Sequence, residues 1–155
     1  MNDLFKSLIS SKFGNSLFAG IWFAVAAIIP VAYYLLRFGE GLPILGVSQL
    51  LTATVSILLS GFIGLLLGSN ILDPKETKSE FKAIGFGLAV ALLSFLFLFI
   101  FLAILSIFTS GDILGTIVAF AVFFFYGMLI VGWVAASVGA IAGLLLYLLR
   151  LRYFE

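Results

Sequence analysis

Four apolar segments, at residues 16–36, 44–72, 83–110 and 113–149, contain no charged residue. A helix of about 20 apolar residues crosses the ~30 Å hydrocarbon core of a bilayer. The expected fold is therefore an all-α integral membrane protein, with four transmembrane helices in a bundle and a single membrane domain over residues 1–155. Composition agrees: 64% of the chain is hydrophobic and 10% charged, against about 25% charged in an ordinary soluble domain.

The spans are expected at about 16–37, 44–72, 83–110 and 119–149, with a loop at 73–82. The fourth segment is longer than one crossing needs, since its helix would reach about 55 Å at 1.5 Å per residue. One span with a lead-in lying in the interface is the expectation. The alternative is two spans broken near Gly127 or Gly132, five in all. Lys6, Lys12, Lys75, Lys78, Lys82, Arg150 and Arg152 fall on one side of a four-span chain and Arg37 alone on the other. The excess of Lys and Arg on cytoplasmic loops then predicts a multi-pass protein with both termini and the 73–82 loop cytoplasmic. Lys6 and Lys12 precede the first apolar run as in a signal peptide. That run ends in Tyr33, Tyr34 and Arg37 rather than at a small-residue cleavage site, so it is read as a retained span.

Local signals refine this outline. Leu4, Phe5, Leu8, Ile9 and Phe13 share a helical face, which suits an interfacial helix over 1–15; a frayed terminus is the alternative. Pro30 is expected to kink the first span. Asp73, Pro74 and Glu76 have the pattern of a helix start, and Asp112 that of a cap. A shift of 79 positions lays Leu17–Ile21 over residues 96–100 and Gly64 over Gly143. That shift raises a reading as two parallel two-helix hairpin repeats.

The strongest pattern lies in the second span, where Thr52, Ser56, Ser60, Gly64 and Gly68 recur every four residues. Small residues at this spacing let membrane helices approach closely. Ala135, Gly139 and Gly143 offer the same in the fourth span, and Gly20 and Ala24 in the first. These are expected helix-packing positions, within the bundle or against a separate subunit; a pore-lining face of the Thr and Ser hydroxyls is the alternative. Lys75, Lys78, Lys82, Arg150 and Arg152 are candidates for contact with lipid headgroups; the alternative, that they simply set the topology, is the preferred expectation. Trp133, deep in its segment, needs a partner for its indole N–H and is the expected contact for a ligand or another subunit.

Chemistry is sparse. The chain has no Cys and no His, which removes thiolate and imidazole metal sites, histidine-held haem and nucleophile–His pairs. Its carboxylates, Asp3, Glu40, Asp73, Glu76, Glu80, Asp112 and Glu155, all fall in loops, caps or tails. A proton relay would need ionisable groups inside the membrane. Four glycine-marked spans resemble the duplicated proteolipid subunits of rotary ATPases. Those subunits work through a membrane carboxylate, and no span here has one, so the resemblance is set aside.

No enzymatic role and no nucleic-acid partner are expected. The expected function is that of a non-catalytic accessory, assembly or scaffolding subunit of a larger membrane complex, acting through helix–helix and lipid packing. Its partners would be membrane lipids and other membrane subunits or further copies of itself. The alternative is an oligomeric passive channel or transporter for a small neutral solute or lipid. No cofactor is called for; the many phenylalanines suit a bound lipid, quinone or carotenoid.

Overall fold

The computed structural model describes residues 12–38, 47–73 and 75–153. Among them there is no strand, and four helices are long and apolar enough to cross a membrane: Phe13–Arg37, Gln49–Leu72, Glu80–Thr109 and Ile113–Arg152. The protein is a multi-pass, all-α membrane protein built as a four-helix bundle. The first span is one helix, Lys12–Phe38; most of the interfacial helix expected over 1–15 lies outside the described residues. The second runs from Val47 to Leu72 and the third from Glu80 to Ser110.

Successive spans are antiparallel neighbours. The first and second form one hairpin, the third and fourth another, and the hairpins meet first-to-fourth and second-to-third. The end that carries the 75–79 loop and Arg150 is called the basic end below, and the other the far end. The buried apolar core, which includes Ala19, Phe23, Ile63, Ile71, Ala83, Val90, Ala142 and Leu146, occupies the half of the bundle next to the basic end. The two hairpins are thus joined tightly at one end and more loosely at the other.

Helix boundaries depart from the sequence pattern at two places. The third helix starts at Glu80 and not at Asp73: the Ser79 side chain caps it by accepting from the Lys82 N–H, and Glu80 complements the positive end of its dipole. Asp73 closes the preceding helix instead, and its carboxylate accepts from the Lys75 N–H at 2.9 Å, an Asx turn that holds the loop. In the fourth segment the helix begins at Ile113, where Asp112 accepts from the Gly115 N–H at 2.9 Å, so the expected lead-in before residue 119 is itself helical. Gly111, at φ 71°, supplies the left-handed residue that ends the third helix. The helix then continues to Tyr153, and the break considered near Gly127 or Gly132 takes the form of a π-helical turn at Met128–Gly132 rather than a reversal.

A second π turn, Gly64–Gly68, lies in the second span. A π turn uses more residues per turn than an α-helix. It therefore counters the drift of a four-residue stripe and keeps both glycines facing the first span. A Cβ built on Gly64 would come within 2.7 Å of Phe23 Cβ, and one on Gly68 within 2.8 Å of Phe23 Cε2.

The 79-residue shift holds for one pair: Gly64 meets Ala19 and Phe23 of its hairpin partner, as Gly143 meets Ala83 and Gly87 of its own. In the first and third spans the contacts equate Ala19 and Phe23 with Ala83 and Gly87, not with Leu98 and Leu102. The second hairpin is the longer, and its extra length lies at the far end.

Candidate functional site

Three features lie along the bundle axis: a clamp at the basic end, a glycine-lined seal, and a cavity opening toward the far end.

The clamp is built on Arg150. A helix leaves its last four carbonyls without internal donors, and the second span ends inside the protein. Its orphans are met one by one. The Asp73 N–H bonds to Ser69 O at 3.2 Å, and Thr77 Oγ1 donates to Asn70 O at 2.8 Å. Arg150 Nη1 donates to Ile71 O at 3.0 Å and to Thr77 O at 2.8 Å, with a longer approach to Asp73 O at 3.4 Å. Its guanidinium carbon lies 4.8 Å from the Tyr147 ring centroid, within cation–π range. Arg150 is only 3% exposed and faces the end of another span, not the lipid headgroups for which its sequence position makes it a candidate. The positive charge sits where the second helix has its negative pole. Lys75, Lys78, Lys82 and Arg152 are exposed at the same end.

The seal is made of the small residues. In the first hairpin Gly61 approaches Ala24, and Gly64 and Gly68 lie against Ala19 and Phe23; Ser60 Oγ donates across to Phe23 O at 3.1 Å. In the second hairpin Gly139 and Gly143 press on Ala83, Gly87 and Ala91. The expected packing positions Ser60, Gly64, Gly68, Gly139 and Gly143 thus meet helices of the same bundle. The three small residues of the third span are also spaced by four, in a segment whose many phenylalanines mask the pattern in the sequence. A single bond ties the hairpins together here: Trp22 Nε1 donates to Ala142 O at 2.9 Å. Trp22→Phe keeps the ring and loses that donor. It should lower the unfolding free energy by about 0.6–1 kcal/mol, readable as a lower midpoint in detergent denaturation, while Phe18→Leu, which loses a stacked ring 6.4 Å from Trp22 but no hydrogen bond, changes it less.

Beyond the seal the hairpins separate around a cavity of about 200 Å³ lined by all four spans. Its closed end is formed by Phe23, Ser60, Ala91 and Gly139, and its far-end rim by Tyr34, Thr52, Leu102 and Gly127. Phe23, Ser60, Ser94 and Gly139 are buried, whereas Tyr34 is exposed and Thr52, Leu102 and Gly127 half-buried, so the space opens away from the basic end. Ala135 also lines it. The stripe in the second span therefore divides: its glycines seal, and Thr52, Ser56 and Ser60 face the space.

The cavity's polarity is muted. Ser56 Oγ donates to Thr52 O at 2.7 Å, Ser94 Oγ to Val90 O at 2.6 Å, and Ser60 Oγ to Phe23 O. These hydroxyl protons are committed to backbone carbonyls, which leaves only acceptor lone pairs. Pro30, on the wall with Ala26, lacks the N–H that would reach the Ala26 carbonyl; the helix nonetheless continues to Phe38. Tyr34 is the one titratable residue of the lining. Such a space suits an apolar guest.

Trp133 is not inside the bundle. It is 59% exposed, and its ring meets Tyr33 edge-on at 6.5 Å, on the surface between the first and fourth spans. The inward hydrogen bond sought from it is made by Trp22.

No protein-family model matches this chain, and no curated protein or solved structure matches it.

Proposed function

We propose that the protein is a non-catalytic accessory or assembly subunit of a membrane complex, oriented with its basic end and both termini in the cytoplasm. The observation that carries this reading is the long far-end arm of the second hairpin. Residues 113–127 pack on the third span and scarcely touch the first two. The arm has its own interior: Phe95, Phe99, Phe120 and Phe124 form a cluster with ring centroids 4.8–6.5 Å apart, and Ser106 and Thr116 hydroxyls lie 3.4 Å apart. Its outer surface is largely apolar, with Phe108 84% and Leu114 77% exposed, and Ser106, Thr109 and Asp112 are exposed toward its tip. The fourth segment as a whole is 40 residues, or about 60 Å of helix, twice the ~30 Å hydrocarbon thickness. An apolar arm that outruns the bilayer is stabilised by a neighbouring membrane protein that covers it.

The channel alternative has less support, because the glycine seal and the Arg150 clamp close the bundle below the cavity. Replacing Phe108 or Leu114 with a benzoyl-phenylalanine crosslinker tests the subunit reading in native membranes. It expects a discrete protein adduct from the arm and none from Leu58, on the lipid-facing side of the second span. Adducts to lipid alone from all three positions would contradict it.

A further inference from the structure

We propose that the cavity is a binding site for one acyl chain of a phospholipid from the far-end leaflet, with the lipid phosphate held by Arg37. Four observations converge on this occupant.

The first is depth. Phe23 at the closed end and Tyr34 at the rim are on one helix, and their positions place them about 16 Å apart along it. That is half of a ~30 Å hydrocarbon core, the reach of a single leaflet's chain. The second is lining. The walls are alanine, valine, leucine and phenylalanine, with serine hydroxyl protons turned to their own helices or across to Phe23 O. An acyl chain enters such a space without stranding a serine donor, whereas a polar solute finds only acceptors among the serines. The third is volume. A dry apolar cavity of 150 Å³ already takes up a small hydrocarbon, and this one is about 200 Å³.

The fourth is charge. Arg37, in the last turn of the first span's helix, is exposed, and it is the one basic residue at the far end. It stands three residues beyond Tyr34, hence on the same helical face one turn further out. A guanidinium there meets phosphate with two parallel hydrogen bonds, at the level where a headgroup stands when its chain lies in the cavity. A carotenoid hydrocarbon would fit the walls but has no use for Arg37, and a quinone carbonyl would accept a single hydrogen bond from it where a phosphate accepts two charge-assisted ones. The rim thus distinguishes a phospholipid from the neutral apolar guests.

The test uses the full-length protein in phosphatidylcholine vesicles containing a small fraction of phosphatidylcholine with a diazirine at mid-chain. Labelled peptides are mapped after irradiation. Labelling should concentrate on cavity residues such as Ala53, Ser56 and Val131, at about one lipid per chain, above that on Phe62 and Leu66 of the outer surface. Ala135→Phe, which fills the space, should abolish cavity labelling and leave surface labelling intact. Arg37→Gln should weaken retention of the probe about tenfold, the size of one lost charge-assisted contact, without altering helix content by circular dichroism. A neutral diazirine-bearing long-chain alcohol should label the cavity equally in wild type and Arg37→Gln. Wild-type labelling confined to the outer surface would overturn the site. Cavity labelling unaffected by Ala135→Phe would do the same. Phospholipid retention unchanged by Arg37→Gln would overturn the phosphate assignment, and with it the choice of a phospholipid over a neutral guest.

Discussion

Gly87→Val should separate the second hairpin. A Cβ at Gly87 falls on the Gly139 carbonyl oxygen and 2.9 Å from Gly143 Cα. Both obstacles are backbone, so no side chain can swing aside. Either the third and fourth spans move apart along the whole seal or the substituted helix distorts. Overpacking of this kind destabilises by about 3 kcal/mol at the upper end of the usual range, and most of the buried core lies beside this contact. The measurement is the unfolding midpoint in mixed detergent, with Gly85→Val as control. Gly85 is on the same helix, and a Cβ there meets nothing within 4 Å. Gly85→Val should change stability by no more than about 0.5 kcal/mol. Equal effects at the two positions would show that the loss reflects helix propensity rather than close approach.

Arg150→Ala should release the loop at the basic end. Its guanidinium is the donor for Ile71 O and Thr77 O; hydrogen bonds from charged groups contribute about 1.5–3 kcal/mol. Water entering at the membrane surface recovers part of this, so a loss of about 2–4 kcal/mol is expected. Trypsin supplies an independent readout, because Lys75 and Lys78 are exposed on the clamped loop. Cleavage there should be faster by about tenfold or more in Arg150→Ala, and unchanged in Arg152→Ala. Arg150→Lys should recover only part, since its side chain is one bond shorter than the reach to the Nη1 position and it loses the guanidinium face over Tyr147. Cleavage rates that match wild type in Arg150→Ala would show that Asp73, Thr77 and Ser79 hold the loop without it.

The spans themselves were readable because charge is so costly in hydrocarbon that its absence over 20 residues leaves few other folds. The small-residue stripe was readable for a related reason: only close helix contact rewards glycine in the middle of a span. Its division into a seal and a cavity wall was not, because that depends on how far the hairpins splay, which a single helix does not encode. Arg150 was misjudged because a basic residue at a span end looks the same in sequence whether it reaches lipid or folds back onto another helix. What decides between them is the loop between the second and third spans, whose turn at Asp73 presents the carbonyls. A fourth span beginning at residue 119 would place Trp133 near its middle. With the helix starting at Ile113 and passing through a π turn, its ring faces outward, while Trp22, in a span already rich in aromatic residues, makes one of the bonds that join the hairpins. Gly87 carried a signal of its own, in the four-residue spacing of Ala83, Gly87 and Ala91, that the phenylalanines around it obscured.

The central claim is that this protein works by what it packs against, through a covered arm and a filled cavity rather than through chemistry. Native mass spectrometry of the gently extracted protein tests it in one spectrum. The expected ion carries the chain together with a stoichiometric membrane protein partner, or a further copy of itself, and about one retained phospholipid per chain. A bare monomer that keeps neither protein nor lipid under conditions that preserve its helices would contradict it.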